Sequence, residues 1–222
     1  MIQIKELYKY FGSLKVLTGL DASISAGELV VLLGPNGCGK STLFRCLLGL
    51  TDYEGMIQVN GLSPIERGKE VRKRVGYMPQ QCGLHLDISV EETLEFYALL
   101  RQSDASLAFR LLERVSLAGK RHMKVGELSG GMKQRLAYVV SAFSKPNVLL
   151  LDEPIANLDR DSQSLILSHL LELREQKTTI LLSTHQKHGM LDVADRSLVL
   201  AEGRLWDTEV VTEYGMEGAI PQ

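Results

Sequence analysis

Short runs of apolar residues alternate along the chain with longer segments whose apolar positions recur at helical spacing. Glu28 to Leu33 is followed by a helical pattern from Ser41 to Leu50, Val148 to Leu151 by one over Asp161 to Gln176, and Thr179 to Ser183 by a further helix. That rhythm belongs to a parallel sheet covered by helices. Met1 to Glu6 instead alternates apolar and polar like a half-exposed strand, and near Met56 to Asn60 the residues Ile57 and Val59 recur at two-residue spacing, which predicts a small antiparallel layer there. Between Leu84 and Phe143 strand-like runs vanish and three helical patterns follow one another. The first carries a capping box, Ser89 with Glu92, and then Val90, Leu94, Tyr97 and Leu100 or Arg101 along one side. Asp104 to Leu117 and Met132 to Phe143 supply the others. The pattern thus predicts an α/β fold in a single domain over 1–222. Its core, 1–83 and 144–222, has a mainly parallel central sheet and a small antiparallel β layer, with an inserted α-helical subdomain over 84–143.

Composition narrows the function classes. Hydrophobic residues at 45% and charged residues at 23% predict a folded globular chain. With 25 Lys plus Arg against 27 Asp plus Glu, the net charge of −2 offers no basic face for nucleic acid. The longest apolar runs, such as Leu29 to Leu33, fall far short of the roughly 20 residues that span a bilayer. The N-terminus lacks the apolar core of a signal peptide, so a cytoplasmic setting is expected. Cys38, Cys46 and Cys82 form no CxxC pair and read as free thiols.

The chemistry begins at Gly34-Pro35-Asn36-Gly37-Cys38-Gly39-Lys40-Ser41, which fits GxxxxGK[ST] and lies between a strand-like run and a helix. Its glycines let successive backbone N–H groups turn toward phosphate oxygens, and the helix that follows adds a partial positive charge at its N-terminus. Lys40 is expected to reach the β- and γ-phosphates and Ser41 to bind Mg²⁺. Asn36, Gly37, Cys38, Gly39 and Thr42 complete the expected phosphate-binding loop. Asn147-Val148-Leu149-Leu150-Leu151-Asp152-Glu153 is an apolar strand ending in two acids, which an open α/β sheet places at its ligand-binding edge. Adjacent strand residues point opposite ways unless the strand has ended, so the two should divide labour. Asp152 is assigned to Mg²⁺ and Glu153 to the attacking water.

Leu128-Ser129-Gly130-Gly131-Met132-Lys133-Gln134-Arg135 resembles the signature motif of ATP-binding cassette (ABC) ATPases. Around it, Gln80 after Tyr77-Met78-Pro79 resembles their Q-loop, Ala156-Asn157-Leu158-Asp159 their D-loop, and Ser183-Thr184-His185 their switch histidine. Phe11 resembles the aromatic that stacks on adenine, with Tyr10 as a rival. Met132 stands where Gln is common and Ile155 where Thr is frequent, and neither position carries catalytic charge.

The resemblance implies a P-loop ATPase that uses ATP and Mg²⁺, with Gln80 joining Ser41 and Asp152 near the metal and Glu153, His185, Gln80 and Lys40 serving catalysis. It also implies a head-to-tail dimer, with a second copy or a related ATPase subunit, in which Ser129, Gly130 and Gly131 meet the opposite chain's ATP and Asp159 lies at the interface. The expected setting is peripheral, at the cytoplasmic face of the cell membrane, beside an integral membrane transporter subunit. His85, Leu86 and Ile88 are expected contacts for that partner. A compact cassette without a regulatory domain after Gly203, and the helix from Glu91 to Leu100, resemble the ABC-2 export type. Two rival readings are a soluble ABC ATPase acting on nucleic acid or ribosomes and a module that binds ATP without turnover. The first lacks the usual tandem cassette, and Glu153 and His185 speak against the second. His188 lies close to His185, but no third ligand accompanies the pair, so no zinc site is expected.

Overall fold

The computed structural model describes residues 1–81, 83–185 and 191–207. Cys82, His188 and any helix just after His185 lie outside the described residues. Strands β1 (Ile2–Phe11), β2 (Leu14–Ile24) and β3 (Leu29–Leu33) open the chain, followed by helix α1 (Lys40–Leu47) and β4 (Glu54–Val59). Then come α2 (Pro64–Arg74), β5 (Val75–Met78) and three helices of the insertion, α3 (Val90–Arg101), α4 (Ala105–Arg114) and α5 (Gly130–Ala142). The core resumes with β6 (Val148–Asp152), α6 (Arg160–Glu175), β7 (Thr179–Thr184), β8 (Arg196–Ala201) and β9 (Arg204–Asp207).

The strands form two sheets. One is antiparallel, ordered β2-β1-β4. The other is ordered β5-β6-β7-β3-β8-β9 and is parallel apart from the last pair. Every residue of β3, β6 and β7 is buried, as a sheet covered on both faces requires, so β3 and β6 up to Leu151 read as unbroken apolar runs and β7 is apolar from Ile180 to Leu182. Their alternate residues feed two different cores. Val31, Leu149, Leu151 and Leu182 pack with α3, α4, α5 and α6, whereas Val30, Leu32, Leu150 and Leu181 pack with α1 and the antiparallel sheet.

Helix boundaries follow local chemistry. α1 stops at Leu47 rather than running to Leu50, because Gly49 turns the chain at φ 62° and an added Cβ there would fall 2.1 Å from the Pro64 carbonyl oxygen. In α3 the capping box forms in both directions, Ser89 Oγ accepting from Glu92 N and Glu92 accepting from Ser89 N. Its inward face ends on Arg101, whose guanidinium donates to the carbonyls of Arg72 and Val75, while Leu100 is exposed. A helical turn of 3.6 residues brings Arg101 back over Val90, Leu94 and Tyr97 and carries Leu100 past them. The helical pattern at Met132 begins two residues earlier, at Gly130, with Ser129 as its N-cap. α2, β2, β5 and the pair β8–β9 lie where the sequence reading placed no element. Among the described residues, no helix is long and apolar enough to cross a membrane.

Candidate functional site

Parallel register brings the chemistry to one edge. Leu33 pairs with Thr184 and Asp152 with Ser183, so the phosphate loop, the acidic pair and the segment carrying His185 leave the sheet side by side. A cleft of about 170 Å³ opens there, lined by Asn36, Gly37, Gly39, Lys40, Ser41, Thr42, Gln80, Asp152 and Glu153. A wider hollow of about 490 Å³ near Met1, Gln58, Asn60 and Arg74 is lined largely by neutral amides and contains no carboxylate. Volume alone therefore does not locate the chemistry.

Within the loop, Gly39 caps α1 at φ 111° and contributes no side-chain acceptor. The first N–H groups of α1 are thus left to face a ligand. An added Cβ at Gly39 would crowd Leu17 Cδ2 at 3.0 Å and Val16 Cγ1 at 3.2 Å, so β2 presses the loop into this shape. Lys40 is buried, and its ammonium donates to the Gly34 and Pro35 carbonyl oxygens at 2.6 and 3.0 Å. It stands 4.0 Å from Glu153 Oε1.

Asp152 is buried with both carboxylate oxygens engaged, Oδ2 accepting from Ser41 and Oδ1 from Ser183, each at 2.5 Å. Ser183 gave no functional signal of its own in the sequence; only the strand register sets it opposite Asp152. β6 ends at Asp152, and Glu153 turns into the left-handed region at φ 55°. Both acids therefore line the same cleft, where continued strand alternation would have separated them. A left-handed non-glycine residue costs about 1–3 kcal/mol, and the contacts around Glu153 hold it there. Its N–H donates to Ser183 O and Oγ at 3.2 Å, and its carbonyl accepts from Gln134 Nε2 at 2.8 Å. His185 Nδ1 lies 2.9 Å from Glu153 Oε1, with the imidazole partly exposed.

Other expected residues do not line the cleft. Cys38 is half-buried and does not line it; burial pushes its thiol pKa up, with Lys40 opposing that shift. Phe11 stands half-exposed at the end of β1, with the buried Lys9 ammonium 4.5 Å from its ring centroid and 2.7 Å from Asp52. Tyr10 instead stacks on Tyr8. Ser129 and Gly130 are exposed at the start of α5 and contribute nothing to this chain's own cleft. Asp159 caps α6, accepting from Ser162 N and Oγ at 2.8 and 3.0 Å, and those bonds hold its carboxyl below the usual range.

The donor set at the cleft's acidic end, a hydroxyl, a carboxylate and the Gln80 amide, is all oxygen. That suits a hard cation such as Mg²⁺, which takes few protein ligands and completes its shell with water and phosphate oxygens.

Known proteins share this sequence pattern and fold. The family model described as "ABC transporter" matches residues 17–156. The Nod factor export ATP-binding protein I of Burkholderia lata is 39% identical over 91% of this chain and 68% of its own length. An uncharacterised ABC transporter ATP-binding protein of Methanocaldococcus jannaschii is 34% identical over 91% of this chain and 75% of its own length. Among solved structures, an ATP-binding subunit of an ABC transporter superposes with a TM-score of 0.89 at 26% identity, covering 99% of this chain and 95% of that one. A dimeric ABC transporter cassette gives 0.85 at 25% identity over 92% and 96%. With its phosphate loop and acidic strand end meeting at one cleft and His185 bonded to Glu153 beside it, the chain belongs to the ABC transporter family as one of its ATP-binding, ATP-hydrolysing cassettes.

Proposed function

We propose that this cassette hydrolyses Mg²⁺-bound ATP at the cleft between the phosphate loop and Glu153, and does so as half of a head-to-tail dimer that drives a membrane transporter subunit. The carrying observation is the convergence of Lys40, Ser41, Asp152 and Glu153 on one cleft, with Ser129 and Gly130 exposed outside it. Lys40 and the N–H groups of the loop and α1 hold the β- and γ-phosphates. Ser41, Asp152 and Gln80 would hold Mg²⁺, which when bound neutralises charge on the β- and γ-oxygens. The Glu153 carboxylate takes the proton of the attacking water. His185, already bonded to that carboxylate, orients it and meets the γ-phosphate. Phe11 offers its open ring face to adenine, and Asp159 lies beside the dimer seam.

The bare N–H groups at Gly130 and Gly131 supply the opposite chain's γ-phosphate with donors that this chain's own cleft lacks. ATP then joins two copies and hydrolysis releases them. The membrane subunit is received near the exposed His85 and Leu86, beside Ile88, at the cytoplasmic face of the membrane. The naming of several relatives as Nod factor export proteins supports the export direction for this chain.

The test measures phosphate release and Mg²⁺-ATP-dependent dimerisation by light scattering. Glu153→Gln is expected to lower turnover by about 10²-fold or more while retaining ATP and accumulating dimer, and Lys40→Ala is expected to lose nucleotide. Wild-type turnover in Glu153→Gln would remove the base assignment. Monomers at saturating ATP would remove the shared site.

A further inference from the structure

Helix α5 begins at the signature and, one turn further on, touches the catalytic strand end of its own chain. Gln134 donates from Nε2 to the Glu153 carbonyl at 2.8 Å. On the other side of the same residue, Ser183 receives the Glu153 N–H. The peptide units before and after Glu153 are thus fastened to two different elements, β7 and α5, and between them the backbone sits at φ 55°. A residue in that conformation has no place in a strand ladder, so its carbonyl needs a donor from outside. The Ala156 N–H reaches it from within the turn at 3.3 Å, and Gln134 supplies the shorter bond, the one that comes from a different element.

The start of α5 is also packed against the segment that follows Glu153. A Cβ added at Gly131 would lie 3.4 Å from Leu158 Cδ2 and 3.9 Å from the Asn157 carbonyl oxygen. That segment is braced from behind by Gln163, which donates to Leu158 O at 3.0 Å. A shift of the signature helix therefore bears on both ends of the turn that carries Glu153. The geometry points to Gln134 as a positioning residue that holds Glu153 in its left-handed turn and ties it to the signature helix. Occupancy of the site served by this chain's signature then sets the posture of the base in its other site. This inference rests on the proposed roles of Glu153 as base and of a shared dimer site.

The test uses the full chain with Gln134→Met, which keeps length but cannot donate, and Gln134→Glu, which presents oxygen to the carbonyl. Both are expected to lower kcat roughly 10- to 100-fold, the scale of a misplaced reacting group, with KM for Mg²⁺-ATP within about twofold of wild type. Cooperativity in the ATP saturation curve is expected to fall toward none. Adding Gln134→Met to Glu153→Gln is expected to cost no further turnover, because both changes act through one group. A generally loosened fold would add its loss to that of Glu153→Gln. Thermal midpoints are read alongside, and should the Met variant fail to fold, Gln134→Glu decides by the same split. Wild-type kcat in the folded variants, a rise in KM that matches the fall in kcat, or additive losses in the double variant would each overturn the inference while leaving Glu153 as the base. Wild-type turnover in Glu153→Gln would remove the base assignment and this inference with it.

Discussion

His169 offers a pH-dependence whose size follows from its surroundings. It lies on the inner face of α6, 9% exposed, with Nδ1 2.7 Å from the hydroxyl of Tyr138 on α5, itself fully buried. Above the pair, Arg114 of α4 bridges to Glu172, and Lys145 stands nearby. Desolvation, with added repulsion from Arg114, pushes the imidazole pKa from 6.5 down to about 4. The folded protein therefore holds His169 neutral where the unfolded chain would protonate it. The sign follows from linkage: the contribution is fully present above pH 6.5 and is lost as pH falls from there through about 4. At 1.36 kcal/mol per unit, the loss is roughly 2 kcal/mol by pH 5 and approaches ~3 kcal/mol well below pH 4. His169→Asn keeps a polar atom for Tyr138 but cannot titrate in this range. Urea unfolding of both proteins between pH 7.5 and 4.5 isolates the term, since the carboxylates that also titrate are common to the two. The stability of wild type relative to His169→Asn is expected to fall by roughly 2 kcal/mol on going from pH 7.5 to pH 5. A difference that stays flat across this range would show that burial does not control His169.

Two further outcomes concern the nucleotide cleft. Cys38 sits on the phosphate loop between Gly37 and Gly39, which line the cleft, and burial raises its thiol pKa, so it is expected to alkylate slowly at neutral pH and faster as pH rises, with ATP seated on the loop protecting it. Mass mapping of the Cys38 peptide checks this, and rapid labelling at pH 7 that ignores ATP would contradict it. Chelating Mg²⁺ is expected to weaken ATP binding and abolish turnover, because Asp152 and Glu153 together outweigh the single Lys40 ammonium where a polyanion must enter. Equilibrium binding of a fluorescent nucleotide with and without EDTA measures it, and equal affinity would refute the charge argument.

Much of the fold could be read from the sequence because the central strands are buried on both faces. Runs such as Leu29 to Leu33 and Val148 to Leu151 leave no polar alternation to confuse the reading. Among the missed elements, β5 is only four residues long with Gly76 inside it, and β2 and α2 bury their residues irregularly or on one side. β2 carries register shifts against β1, so its buried positions lose strict alternation. α2 is strongly charged and kinked at Arg67, with only Pro64 and Val71 buried, which leaves it almost no apolar stripe. The choice between Leu100 and Arg101 required the helix's actual inward face, since apolarity alone favoured the leucine and the guanidinium's backbone partners come from Arg72 and Val75, far away in sequence.

At the site, residues with fixed spacing could be found from the chain alone, because a phosphate loop and an acidic strand end are each contiguous. The groups that hold them in place could not. Ser183 and Gln134 act on Asp152 and Glu153 across sequence separations of 31 and 19 residues, through a strand register and a helix approach that no local pattern encodes. The same physics explains why reasoning from strand alternation stopped short at Glu153. Alternation holds only while a ladder holds, and here the ladder ends one residue earlier, at Asp152. Two neighbouring acids can then face one cleft only if the second accepts an unfavourable backbone conformation and other elements restrain it. Its restraints come from β7 and α5 rather than from β6 itself, so the placement of Glu153 depends on packing between the parallel sheet and helix α5.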